Sequence, residues 1–153
     1  MAADFKITFN KKAEKQMLAI GERAVMVLAQ EAKGIAIRKS PYKTGTNRRS
    51  IDFALRREFM RLLQPPVSVP RGAVAAIFTQ SGYGAHLEFG TGVHGHTGKP
   101  IVPKKAKVLH WVDEEGEHFA RSVQGMEARP YMRPALESVK ARAGAILRKE
   151  FKT

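Results

Sequence analysis

The sequence predicts an α+β fold in which a long N-terminal helix and a C-terminal helix pack on a small antiparallel β-sheet. Three observations carry this expectation. Apolar residues recur three and four apart over residues 11–39, the pattern switches to alternation near residue 51, and a second helical stripe closes the chain. At 153 residues, 43% of them apolar, the chain suits one domain spanning 1–153. Loops project from it at about 59–72 and 91–106.

The first helix takes residues 11–39. Met17, Ile20, Ala24, Val27, Leu28, Ala32 and Ile35 mark one face, with Lys15, Glu22, Gln30 and Lys33 opposite. Asn10 suits the N-cap, Arg38 and Lys39 suit the negative end of the helix dipole, and Pro41 stops the run. At about 1.5 Å per residue the helix is roughly 43 Å long, more than a compact domain of this size needs. Part of it is therefore expected to meet a neighbour. Glu31 falls within the apolar face, where a lysine or arginine folding over it is the expected partner.

Residues 40–50, "SPYKTGTNRRS", read as a turn. Ile51, Phe53 and Leu55 then alternate with Ser50, Asp52 and Ala54, the signature of a strand. The proline-marked "LLQPPVSVPRG" separates it from "AVAAIFTQ" at 73–80, whose small and branched residues suit a strand buried on both faces. "KVLHWV" and "EHFARSV" read as two more strands joined by the turn "DEEG". The connections are too short for crossover helices, so the sheet is antiparallel. Pro134 fits the first turn of the last helix, and Leu136, Val139, Ala143, Ile146 and Leu147 mark its apolar stripe.

Composition removes several classes of function. Without cysteine there are no disulfides, thiolate metal sites or cysteine nucleophiles. "MAADFKITFNKK" lacks the pattern of a secretory signal, and apolar runs such as "AVAAIF" are far shorter than a bilayer span, so a soluble protein with no membrane partner is expected. Lys and Arg number 27 against 14 Asp and Glu, a formal charge of +13. That charge attracts nucleic acid, an anionic membrane or an acidic protein surface without naming any of them.

The stretch "YGAHLEFGTGVHGHTGKP" concentrates His86, His94, His96 and Glu88 among glycines. An extended His94-x-His96 pair could face one ion, but Gly92, Gly95 and Gly98 make a poor second shell, and the helical two-histidine pattern of metalloenzymes is missing. No metal, cofactor or catalytic residue is assigned. His110 and His118 read as ordinary strand residues, and Asp113, Glu114 and Glu115 as a solvated turn. His94, His96 and Lys99 are instead read as hydrogen-bonding groups of a flexible loop that orders against a neighbouring subunit.

Three blocks, "SPYKTGTNRRSI" at 40–51, "YGAHLEFGTG" at 83–92 and "ARPYMRPAL" at 128–136, resemble in order and spacing the neck or head–tail connection proteins of long-tailed bacteriophages, often called minor tail components. In that family a proline and a "TG" pair precede the first strand, a tyrosine leads to an "EFGT"-like corner, and an "RP-aromatic-x-x-PA" block opens the last helix. The resemblance maps Gly45 onto the first motif, Tyr83, Glu88, Phe89 and Gly90 onto the second, and Arg129, Pro130, Tyr131, Arg133, Pro134 and Ala135 onto the third. Glu88 is expected to pair with Arg129 or Arg133, within or between subunits.

The resemblance implies a non-enzymatic structural virion protein, forming a sixfold or twelvefold ring in the neck that joins the portal complex to the tail. Its partners would be copies of itself and adjacent connector, head-closure, tail-terminator or tail-tube proteins. It would reside in the virion, passing through the host cytoplasm during assembly, with nonspecific DNA contact in a basic lumen. The alternatives are a tail-terminator or tail-completion subunit, a nonspecific nucleic-acid-binding protein and a metal-dependent enzyme.

Overall fold

The computed structural model describes residues 10–62 and 72–150. Helix α1 (Lys11–Lys39) begins where expected, with Asn10 Oδ1 accepting the N–H groups of Lys12 and Ala13 at 3.0 and 3.3 Å. Ser40 ends it, its N–H bonded to Ala36 O at 2.8 Å. The short helix α2 (Thr46–Ser50) leads directly into β1 (Ile51–Leu55), which is followed by α3 (Arg56–Leu62). After β2 (Ala75–Thr79) come α4 (Gly84–Phe89), a 3-10 turn at Gly92–His94, the strands β3 (Leu109–Asp113) and β4 (Gly116–Ala120), and α5 (Met132–Glu150).

The architecture is α+β, with two long helices, three short ones and two small antiparallel sheets among the described residues. The four strands form two separate pairs where a single sheet was expected. β1 pairs with β2 from Ile51↔Thr79 to Leu55↔Ala75, and β3 pairs with β4 from Leu109↔Ala120 to Asp113↔Gly116. Among the described elements, β3 and β4 make extensive contact only with each other. The hairpin is therefore an arm, not a layer of the core.

Helix α5 lies antiparallel to α1. Its start reaches the end of α1 through Tyr131, Asn47 and Ser40, and Arg142 reaches back to Glu31 at 3.3 Å. This is the basic partner expected for Glu31. Ala29, Ala32, Ile35 and Ala36 are the buried residues of α1, their small side chains letting the helices approach closely, and Ile51, Leu87, Tyr131, Ala135 and Val139 complete the core. Fully burying one such aliphatic side chain contributes about 1.5–3 kcal/mol. Because α5 has 19 residues and α1 has 29, residues 11–20 of α1 are exposed throughout.

Several expectations are corrected. Residues 46–50 form helix α2 within the expected turn, and the projection expected at 59–72 begins inside α3, its remainder at 63–71 lying outside the described residues. The buried residues of β1 are Ile51 and Ala54, from opposite alternation sets, because Asp52 turns to the Lys33 ammonium of α1 at 2.8 Å. β2 is half-buried throughout, not buried on both faces, because a two-stranded sheet leaves it at an edge. In α5 the buried face runs through Ala135 and Val139, leaving Leu136 exposed at 51%.

Candidate functional site

The three sequence blocks meet at one corner, where α2, α4 and the start of α5 close over the end of α1. Gly45 sits before α2 with φ 74°, and a Cβ there would come within 3.0 Å of both the Tyr42 ring and the Arg49 guanidinium. The positive φ favours glycine, while the two exposed side chains could give way to a Cβ. Gly45 turns the chain so that Asn47, 2% exposed, points into the corner.

Asn47 is the hub of a buried polar network. Its Nδ2 donates to Ser40 Oγ at 2.9 Å, and its Oδ1 accepts from Thr79 Oγ1 at 3.1 Å and from Ser81 Oγ. The Tyr131 hydroxyl lies 3.4 Å from Asn47 Oδ1 and equally from Gly84 O. The Asn47 N–H donates to the Tyr83 hydroxyl at 3.0 Å, and Ser50 Oγ donates to Asn47 O at 2.8 Å. One amide thus ties together the segments at Ser40, Thr79–Ser81 and Tyr131, and its polar atoms are satisfied.

Glu88 pins the remaining block. Its Oε2 accepts the N–H groups of Tyr131 and Met132 at 2.8 and 2.9 Å, and Oε1 accepts that of Arg133 at 3.0 Å. Those are donors that the start of α5 cannot satisfy within the helix, and the next residue, Pro134, has none. One carboxylate and one proline therefore leave no orphan donor in this turn. Burial works to raise the Glu88 pKa, but the three N–H bonds and the Arg133 charge outweigh it, and the carboxyl titrates below the ordinary glutamate range. The positive end of the helix dipole acts in the same direction.

Within the chain, main-chain donors take the place of the ion pair expected for Glu88. Among the described residues, neither Arg129 nor Arg133 forms a salt bridge with Glu88, because main-chain donors already occupy the carboxylate. Beyond its main-chain N–H, Arg133 acts on the carboxylate through the charge of its guanidinium, which lies 5.9 Å from the centre of the exposed Phe89 ring. The Arg129 N–H donates to Leu87 O at 2.7 Å, setting the path through Pro130. Gly90 closes α4 with φ 74°, where a Cβ would lie 2.7 Å from His94 O.

Past this corner, the segment 91–106 is tied down along part of its length. Thr91 and Val93 donate to Met126 O and Gln124 O at 2.8 Å each, and Ile101 pairs with Val123. His94, His96 and Lys99 are exposed between these ties. The structure does not gather His86, Glu88, His94 and His96 around a common point. The group of three potential ligands found among the described residues is Asp113, Glu115 and His118, at the surface of the hairpin turn. There His118 Nε2 lies 2.9 Å from Asp113 Oδ1, and Asp113 also accepts the Glu115 N–H, bonds that account for the cluster as a turn.

Two surfaces away from the corner are apolar and uncovered. On the free end of α1, Met17 and Ile20 are 73% and 59% exposed. On the hairpin, Val112 and Phe119 are 65% and 63% exposed, with His110 stacked on Phe119 and Trp111 on His118. Sequence patterning pointed to the motif residues but not to Asn47 or Ser40, since a polar residue in a turn carries no sign that it will be buried. No family model, curated protein or solved structure matches the chain.

Proposed function

We propose that this chain is a structural virion protein, forming a ring in the neck that joins the head of a long-tailed bacteriophage to its tail. The observation that supports this most is the convergence of all three blocks of the resemblance on one corner. Gly45 and Asn47 come from the first, Tyr83 and Glu88 from the second, and Tyr131 with its following turn from the third. A ring subunit works by holding its neighbours in fixed positions, and a corner locked by buried hydrogen bonds suits that task. The exposed apolar surfaces of α1 and the hairpin supply contact area, and the net charge of +13 suits a lumen through which DNA passes.

Native mass spectrometry over a concentration series, with and without zinc, tests this reading. The expected result is a metal-free monomer passing to a discrete ring of six or twelve. A zinc held one per chain and lost on changing His94 and His96 would overturn it in favour of a metal site.

A further inference from the structure

Charge is divided unevenly between the two ends of the molecule. The hairpin, residues 109–120, carries Asp113, Glu114, Glu115 and Glu117 and no lysine or arginine, on a chain that is otherwise strongly basic. Its exposed apolar residues, Trp111, Val112 and Phe119, adjoin those carboxylates. The opposite combination occurs where the free part of α1 meets α3. Residues 11–23 and 56–62 hold Lys11, Lys12, Lys15, Arg23, Arg56, Arg57 and Arg61 against Glu14, Glu22 and Glu58. Leu18, Glu22, Arg56, Arg57 and Met60 line one shallow depression there, and Met17, Ile20 and Leu62 of the same two helices are exposed.

The two surfaces lie at opposite ends of α1. Glu114 at the hairpin tip is 3.4 Å from Lys43, just past the C-terminal end of α1, whereas the depression includes Leu18 near the other end. From residue 18 to residue 39 the helix rises about 32 Å at about 1.5 Å per residue. Two matching surfaces so far apart along one helix are out of each other's reach within a chain, yet open to a second copy.

We propose that the acidic hairpin of one copy docks on the basic α1–α3 end of the next, with Glu115 and Glu117 facing Arg57 and Arg61, and Val112 and Phe119 packing against Leu18 and Met60. This inference rests on the ring reading and supplies its contact. Because the two surfaces differ, the contact is heterologous, the kind that propagates head to tail and closes into a ring. Opposite charges around an apolar centre favour this register and reject the repulsive alternatives.

Two variants test it, assayed by native mass spectrometry beside the unmodified chain. One is E115K/E117K, and the other is R57E/R61E; all four side chains are on the surface, and a circular dichroism melt confirms folding. Each variant alone is expected to remain monomeric at tenfold or more above the concentration at which the unmodified chain assembles. Mixed in equal amounts, they regain complementary ends and assemble as 1:1 oligomers with an even number of chains. If the unmodified chain forms rings and neither variant shifts assembly, the docking inference fails while the ring reading stands. If the variants lose assembly but the mixture does not recover it, this pairing of surfaces is wrong. An unmodified chain that stays monomeric throughout overturns both.

Discussion

The carboxylate of Glu88 lies 2.8 Å from the main-chain nitrogen of Tyr131, a residue 43 positions later, and so caps a helix to which it does not belong. Loss of a helix cap costs about 0.5–2 kcal/mol, and bonds from a buried carboxylate lie toward the upper end. Glu88→Gln, which keeps shape but not charge, is expected to cost about 1–2 kcal/mol, and Glu88→Ala more. Thermal melts should show a fall of about 2–4 °C per kcal/mol for a chain of this size.

The same cap makes stability depend on pH in a stated direction. The folded-state pKa of Glu88 is lowered, so its contribution is complete above the ordinary glutamate range and is lost as pH falls through the folded value. Melting temperature should therefore drop on acidification below that range, with a smaller drop in Glu88→Gln. Equal drops in both proteins would show that other carboxylates control acid unfolding.

Asn47 and Tyr131 should separate network from packing. Asn47→Ala removes the donor to Ser40 Oγ and the acceptor shared by Thr79 and Ser81, whose hydroxyls still bond each other and Ser50, and is expected to cost about 1–3 kcal/mol. Tyr131→Phe removes only bonds of 3.4 Å and is expected to cost under about 1 kcal/mol, whereas Tyr131→Ala empties the core at about 3–5 kcal/mol. Urea titrations of the three variants would rank them.

Gly90→Ala combines a backbone conformation that side chains avoid with a contact to His94 O, and should destabilise by about 1–3 kcal/mol. The double change His94→Ala/His96→Ala alters two exposed side chains and should leave stability within about 0.5 kcal/mol. Differential scanning calorimetry distinguishes the pair of outcomes. A large loss from the histidine change would mean that those rings are held by contacts.

What was legible in the sequence was what repeats with a period. The limits of α1, its cap at Asn10 and its stop at Pro41 follow from local rules that tertiary context did not override. The 109–120 hairpin was legible because its turn residues bracket two branched and aromatic runs. Helices α2 and α4 were not, since five and six residues hold too few turns to show a stripe, and both exist because Asn47 and Glu88 are fixed from outside. For the same reason the partner of Glu88 was misassigned: its charge suggested arginine, while the free donors of a helix start leave no mark in the side-chain pattern.

Residues 11–20 of α1 have a further consequence. An isolated helix of this length is marginal in water, so this third of α1 is helical chiefly as an extension of the supported part. Its main-chain amides should exchange with solvent much faster than those near Ala32 and Ala36, with a gradient that steepens towards Asn10. The fraying end is thereby a built-in reporter. Whatever covers Met17 and Ile20 must slow deuterium uptake there first, revealing contact with a neighbour without altering a residue.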